Sequence, residues 1–194
     1  TINTPSCGYS ILHTALPEAM VISDTPDQHI IDVELPVNYS AIGIGPGLGT
    51  HPDTKAVVKA FLNEYKGPLV LDADALNLIA NDSKLLNLLP YHAILTPHPK
   101  EWKRIVGEHT TRLEAIQLAQ EFAHLHQVYI VLKGAHTTVI CPDGKCYFNT
   151  TGNPGMAKGG SGDVLTGIIT ALLAQGYSAE QAARIGVYLH GQAA

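Results

Sequence analysis

The sequence predicts an α/β fold, with helices on both sides of a mostly parallel sheet, from two patterns and one exception. Short apolar runs, as expected for strands buried on both faces, alternate along the chain with longer stretches whose apolar residues have helical spacing. This alternation is typical of parallel sheets covered by helices. The exception is a hairpin signal late in the chain. The length of 194 residues fits a single domain with a substantial hydrophobic core.

The predicted elements follow one another in order. Strands are predicted over residues 40–45, 69–71, 93–95 and 128–132, and the last of these runs is rich in residues that favour strands. Helices are predicted over residues 53–65, 111–126, 161–174 and 178–189.

The hairpin signal is a turn between two short runs. Strands over 137–141 and 145–149 flank the turn sequence PDG at 142–144, which predicts an antiparallel pair at one end of the sheet. Cys141 and Cys146 are then expected to lie near each other across this pair. Two small apolar residues in a hairpin are packing residues more often than a redox pair.

Composition excludes several classes of function. The chain carries 12 Lys and Arg against 17 Asp and Glu, a net charge of −5, so it has no basic surplus to meet nucleic-acid phosphates. No apolar run is long enough to cross a membrane, and the first residues do not resemble a signal peptide. Three cysteines are too few for a disulfide scaffold. We therefore expect a cytoplasmic protein with reduced thiols and with neither nucleic acid nor membrane as its partner.

A glycine-rich stretch from Gly152 to Asp163 is the strongest local signal for chemistry. It has the sequence GNPGMAKGGSGD and continues directly into the predicted helix over 161–174. Glycines allow several backbone N–H groups to point at one place, and a helix N-terminus adds partial positive charge there. Together these features predict a phosphate site. The alternative is a flexible loop in which Ser161 or Asp163 only caps the helix.

Asp163 favours catalysis over simple anion binding. A carboxylate in a phosphate-binding loop repels the phosphates unless it has a chemical role, and a base for a hydroxyl that receives a phosphoryl group is such a role. The stretch is not a P-loop, because the chain lacks the sequence G-x-x-x-x-G-K-[ST]. The glycine cluster at 43–49 does not complete G-x-G-x-x-G, so a dinucleotide fold of the dehydrogenase type is weakly supported.

Polar motifs also follow the predicted strands, where parallel sheets hold their ligands. They are the glycine cluster at 43–49 and the segments 71–77, 95–101 and 133–137. Asp72 and Asp74 are either a metal pair or strand-end and helix-cap residues. His98 lies between two prolines in a rigid loop, which favours a ligand contact. Lys133 either binds phosphate or only solvates a strand end.

The ordered set of these motifs resembles a known family. The segments GPGLG at 45–49, LDADAL at 71–76, LTPHPKE at 95–101, KGAHT at 133–137 and GGSGD at 159–163 resemble those of the ADP- or ATP-dependent NAD(P)H-hydrate dehydratases. These enzymes belong to the ribokinase-like superfamily. The resemblance runs from about Leu16 to the end of the chain.

The resemblance implies a fold, a reaction and partners. The implied fold is a three-layer α/β/α sandwich, and subunits of the family commonly form tetramers. The implied substrates are the S epimers of hydrated NADH and NADPH, to whose nicotinamide ring water has added. An adenine nucleotide, ADP or ATP, phosphorylates the added hydroxyl with Mg²⁺, and phosphate then leaves to restore the ring's double bond.

The resemblance also implies site residues. Asp163 would be the base that faces the substrate hydroxyl. Further substrate contacts would come from Gly47, Gly49 and His98. Nucleotide contacts would come from Lys133, Gly134, Ala135, His136, Thr137, Gly159, Gly160, Ser161 and Gly162. The metal ligands stay open.

Two departures from the family pattern stand beside this resemblance. Ser161 stands where the family usually has threonine, and both residues carry a hydroxyl group. Residues 1–194 are expected to form a single ribokinase-like domain that lacks the family's N-terminal segment and extreme C-terminus.

Two alternative functions stay open. One is a small-molecule kinase of the same fold that acts on a hydroxymethyl pyrimidine or thiazole. The other is a non-catalytic nucleotide-binding module.

Overall fold

The computed structural model describes residues 1–25, 28–33 and 39–193 of the chain. Near the N-terminus, strands β1 (Ile2–Thr4) and β2 (Val21–Ser23) pair in parallel, and helix α1 (Ser6–Ala15) connects them. None of the residues of α1 is buried.

The remaining described chain forms a six-stranded sheet with six helices. Its elements, in order, are β3 (Ile42–Ile44), α2 (Pro52–Glu64), β4 (Leu69–Leu71), α3 (Ala73–Asn81), β5 (Ile94–Leu95), α4 (Pro99–Val106), α5 (Arg112–His126), β6 (Tyr129–Leu132), β7 (Thr138–Ile140), β8 (Cys146–Phe148), α6 (Ser161–Ala174) and α7 (Ala179–Gln192). Two 3₁₀ helices cover Ser83–Leu88 and Pro154–Met156. The strands lie side by side in chain order, β3 to β6 in parallel and β6 to β8 antiparallel.

The sheet lies between two layers of helices. Because successive side chains of a strand point to opposite faces, Leu69 and Leu71 of β4 pack with helices α2 to α5, whereas Val70 packs with α6 and α7. The same alternation continues in β6 and β7. The predicted three-layer α/β/α sandwich is therefore confirmed, and so is the antiparallel pair at one end of the sheet.

Local signals set where the long helices begin. Thr111 accepts a hydrogen bond from the backbone N–H of Glu114, whose side chain accepts from the backbone of Thr111 in return, so a capping box starts α5. Ser178 and Gln181 form the same arrangement at the start of α7. These starts lie one residue from the predicted ones.

Three helices escaped the sequence prediction. The segments after β4 and β5 are described from the sequence only as polar motifs, but α3 and α4 begin there at Ala73 and Pro99. The third is α1. Strand β3 is also less buried than predicted, since Ile42 and Ile44 are half-buried and Gly43 is exposed.

The cysteines of the hairpin pack as predicted. Cys141 lies directly after β7 and Cys146 begins β8, and both are free thiols. Burial of its side chain raises the pKa of Cys141 to about 12, so its thiol is protonated and unreactive at neutral pH. None of the described helices is long and apolar enough to cross a membrane.

Candidate active site

One cavity of about 950 Å³ opens where the carboxyl ends of β4, β5 and β6 meet the N-terminus of α6. Each element contributes the residues that follow it, namely Asp72 after β4, His98 after β5 and Lys133 after β6. Ser161, Gly162 and Asp163 from the first turn of α6 face the same space. The structure thus gathers on one sheet edge the motifs that the sequence places at successive strand ends.

The N-terminus of α6 is built to receive an anion. Gly160 occupies the position before the helix with a φ of +83°, a left-handed conformation that favours glycine, and it supplies no side-chain cap. The interpretation of Ser161 or Asp163 as the cap of this helix is therefore wrong. Ser161 N–H already donates to the carbonyl of Lys158 at 3.4 Å, so the N–H groups of Gly162 and Asp163 are those available to an anion, and the helix dipole favours negative charge there.

Lys133 stands beside this helix start in a buried network. Its Nζ donates to Oδ1 of Asp72 at 2.7 Å, and the hydroxyl of Thr166 donates to Oδ2 of the same carboxylate at 2.8 Å. Asp72 is only 1% exposed. A Cβ atom on Gly162 would come within 3.3 Å of Lys133 Nζ, so the glycine lets the ammonium group lie close to the helix N-terminus. The sequence left open whether Asp72 binds a metal or is a strand-end or helix-cap residue. In the structure, Asp72 pairs with Lys133.

Asp163 differs from the other two carboxylates of the cavity. Asp72 is paired with Lys133, and Glu101 accepts from the backbone N–H of His98 at 2.8 Å. The Asp163 side chain is exposed to the cavity, and within residues 1–25, 28–33 and 39–193 no hydrogen bond to it is found. A carboxylate beside an anion site and without a structural partner is suited to accept a proton from a bound hydroxyl.

His98 caps helix α4 as well as lining the cavity. Its Nδ1 accepts hydrogen bonds from the backbone N–H groups of Lys100 at 3.0 Å and Glu101 at 3.2 Å. The neutral ring then carries its proton on Nε2, which lies 3.3 Å from Oε1 of Glu101. The cap occupies Nδ1 alone, and a substrate contact from His98 stays a prediction.

The capping role of His98 predicts that alanine at this position costs more stability than asparagine. His98→Ala should lower the free energy of unfolding by about 1 kcal/mol, because it removes the acceptor of two helix N–H groups. His98→Asn should keep most of that stability, since asparagine is itself a preferred cap. Denaturant unfolding of both variants measures the difference. Equal losses in the two variants would contradict a capping role.

The segment after β6 lines the cavity as predicted. It is held by Arg112, a residue that the sequence did not indicate. Gly134, Ala135, His136 and Thr137 all line the cavity. Arg112, the first residue of α5, donates to the carbonyls of Leu132 at 3.0 Å and His136 at 3.3 Å and so fixes both ends of the segment. Burial lowers the pKa of the Arg112 guanidinium. No motif in the sequence distinguishes this arginine from a surface residue of a helix.

His190 is a second residue that the sequence did not indicate. It lies near the end of α7, lines the cavity, and its Nε2 is 3.2 Å from the hydroxyl of Ser161. Burial is the main cause that lowers the pKa of His190, so its ring is neutral at pH 7. This contact ties α7 to the first residue of α6.

Four predicted glycines lie outside the cavity lining. Gly159 and Gly160 directly precede α6, where Gly160 shapes the turn. Gly47 and Gly49 lie in the loop after β3 with φ values of +66° and +74°, and no atom stands where a Cβ would be. Oδ2 of Asp74 accepts from the N–H of Gly49 at 2.9 Å, so this carboxylate positions the loop. The roles of these glycines stay predictions.

Comparison with known proteins identifies the family of the chain. A family model described as NAD(P)H-hydrate dehydratase matches residues 1–194. The chain is 41% identical over 185 residues to the bifunctional NAD(P)H-hydrate repair enzyme Nnr of Moorella thermoacetica, which is 94% of this chain and 35% of that protein. It is 40% identical over 167 residues to the ADP-dependent (S)-NAD(P)H-hydrate dehydratase of Bacillus subtilis, which is 84% of this chain and 58% of that protein. The chain therefore spans only part of the length of these relatives.

Solved structures show the same fold. The ADP/ATP-dependent NAD(P)H-hydrate dehydratase of B. subtilis, co-crystallised with ATP and Mg²⁺, superimposes with a TM-score of 0.79 at 34% identity, covering 96% of this chain and 66% of that one. Ribokinase of Thermotoga maritima superimposes with a TM-score of 0.67 at 16% identity, covering 97% of this chain and 72% of that one, a likeness of fold alone. The fold is thus ribokinase-like, and the chain belongs to the NAD(P)H-hydrate dehydratase family.

Proposed function

We propose that the protein restores hydrated NADH and NADPH, as the S epimers, to NADH and NADPH at the expense of ADP or ATP. The observation that carries this proposal is the meeting of three groups in one cavity. They are the N-terminus of α6 without a side-chain cap, the ammonium group of Lys133, and the carboxylate of Asp163, to which no hydrogen bond is found among the described residues. Family membership supports the choice of substrate.

In this proposal the phosphates of the nucleotide lie at the N-terminus of α6 beside Lys133. Backbone N–H groups and the helix dipole favour their negative charge, and the lysine adds a positive charge close to them. The segment 133–137, held by Arg112, would hold the rest of the nucleotide. The charge spread over the phosphoryl group during transfer is then met by groups that are already in place.

The chemistry then needs one proton acceptor. Asp163 takes the proton of the added hydroxyl, whose oxygen attacks the terminal phosphorus while the bond to the departing nucleotide breaks. The carbon–oxygen bond of the phosphorylated ring breaks next, phosphate leaves with the electron pair, and a proton leaves the neighbouring ring carbon. Hydroxide is a poor leaving group and phosphate a good one, which explains why a nucleotide is consumed.

Mg²⁺ is proposed to arrive with the nucleotide. Of the three carboxylates that line the cavity, Asp72 and Glu101 already have partners, so the site lacks an all-protein cage for the ion. Mg²⁺ commonly keeps several waters and binds through substrate phosphates with one or two carboxylates. Asp163 is the lining carboxylate whose oxygens are free to join such a shell. When bound, the ion would neutralise phosphate charge.

The location and the oligomeric state of the protein are also proposals. We propose a cytoplasmic homo-oligomer, a tetramer by resemblance to the family. The three free cysteines, of which Cys141 is buried and protonated, support a reducing compartment.

An NADH-recovery assay tests the proposed function. The protein is mixed with hydrated NADH, Mg²⁺ and either ADP or ATP, and the absorbance of reduced nicotinamide is followed. We expect recovery that depends on one nucleotide, which would identify the reaction and the phosphoryl donor together. Accumulation of a stable phosphorylated compound instead of NADH would favour the small-molecule kinase.

Thermal unfolding separates the remaining outcomes. A ligand that binds only the folded state raises the melting temperature, so the nucleotide should do so whether or not turnover follows. A shift without NADH recovery would contradict the dehydratase but keep the nucleotide site. Absence of both would contradict the whole proposal.

A further inference from the structure

Two histidines and one aspartate meet at the start of helix α2. His29 comes from the segment before β3, whereas His51 directly precedes α2 and Asp53 lies in its first turn. Their donor atoms all lie within 4.8 Å of one another. None of the three lines the cavity of the candidate active site.

One carboxylate oxygen of Asp53 lies close to a ring nitrogen of each histidine. Oδ2 of Asp53 is 3.2 Å from Nε2 of His29 and 3.4 Å from Nδ1 of His51. The contact between His29 and Asp53 is a hydrogen bond. Both separations are also close to the distance of about 3.3 Å between neighbouring ligands of a tetrahedral zinc ion with bonds of about 2.05 Å.

His51 also caps helix α2. Its Nδ1 accepts from the backbone N–H of Asp53 at 3.3 Å, a long hydrogen bond. A metal ion coordinated by Nδ1 would use the same lone pair, so it would take the place of this weak contact.

The surrounding contacts hold the three side chains in place. The imidazole rings of His29 and His51 stack with their centroids 3.9 Å apart. Next to them, the hydroxyl of the buried Thr54 donates to the carbonyl of Ile30 at 3.2 Å, which ties the segment that carries His29 to α2. His51 and Asp53 are exposed, so an ion can reach the site from solvent.

We propose that His29, His51 and Asp53 form a binding site for a divalent transition-metal ion of the zinc type, with water completing its coordination. Two imidazoles and one carboxylate suit Zn²⁺ and its neighbours, whereas Mg²⁺ prefers a shell made of oxygens. The bound ion would fasten the segment 28–33 to the start of α2. This site does not depend on the proposed function and is separate from the Mg²⁺ that accompanies the nucleotide.

Titration with Zn²⁺ and Co²⁺ tests the site on the untagged protein after treatment with a chelator. We expect one equivalent to bind, Co²⁺ to give the visible absorption of a low-symmetry nitrogen and oxygen site, and Zn²⁺ to raise the melting temperature. Excess Mg²⁺ should not displace either ion. Displacement by Mg²⁺ at equal concentration would overturn the assignment to a zinc-type ion.

Substitutions locate the ion. His29→Ala and His51→Asn should each weaken binding by at least about tenfold, the lower end of the loss seen when even an outer-shell group is removed. Asparagine keeps the cap of α2, so His51→Asn is expected to fold normally. His109→Ala, which changes a half-buried histidine elsewhere, is the control and should bind like the unchanged protein. Binding that His29→Ala and His51→Asn leave unaltered would overturn the proposal.

Discussion

Asp163→Asn is expected to lower turnover in the NADH-recovery assay by a factor of about 10² to 10⁴, the range that one general base contributes. Asparagine has nearly the same shape but cannot accept the hydroxyl proton. The side chain is exposed to the cavity and no hydrogen bond to it is found in the described chain, so stability should hardly change. Nucleotide affinity measured without Mg²⁺ should stay similar or rise slightly, because a negative charge beside the phosphates is removed.

The control for Asp163→Asn removes an equally exposed carboxylate elsewhere. Asp143, in the turn between β7 and β8, pairs with Lys145 at 2.6 Å and does not line the cavity. Asp143→Asn should leave turnover and the melting-temperature shift with nucleotide unchanged. Retained turnover in Asp163→Asn would contradict its role as base. A parallel loss of nucleotide binding measured without Mg²⁺ would contradict a role confined to accepting the proton.

The position of the site could be predicted from the sequence because one rule of parallel sheets covers it. Motifs that follow successive strands must share an edge, so Asp72, His98 and Lys133 were expected together without any knowledge of the register. The start of α6 could be predicted equally well, because glycines followed by an apolar run mark it in the sequence. The helix layers followed from apolar periodicity in the longer helices.

The contacts within the site could not be predicted in the same way. The pairing of Lys133 with Asp72, which are 61 residues apart, depends on the register of β4 against β6. The approach of His190 to Ser161 depends on how α7 packs on α6. Helices α3 and α4, with nine and eight residues, are short and begin directly at the polar residues that follow β4 and β5, where the sequence was read for ligand contacts. Helix α1 buries no residue, so its place does not follow from core packing.

Lys133→Met is expected to lower the free energy of unfolding by about 3 kcal/mol, because it leaves the carboxylate of Asp72 buried with only the hydroxyl of Thr166 as partner. For a chain of this size the melting temperature should fall by about 6–12 °C. The melting-temperature shift caused by nucleotide should be lost as well, since the ammonium group beside α6 is gone. Lys145→Met breaks an exposed ion pair with Asp143. It should change neither the stability of the protein nor the melting-temperature shift caused by nucleotide.

A double-mutant cycle shows whether the pair itself causes this loss. Asp72→Asn alone should also destabilise the fold, since it leaves the lysine without its partner. The double variant Asp72→Asn with Lys133→Met carries no buried charge, so it should be more stable than the sum of the single losses predicts, by about 0.5–3 kcal/mol. Additive losses would mean that the two side chains act separately. Recovery of stability without recovery of nucleotide binding would separate the two roles of Lys133. Pairing with Asp72 would then account for stability, and the ammonium group itself for binding of the phosphates.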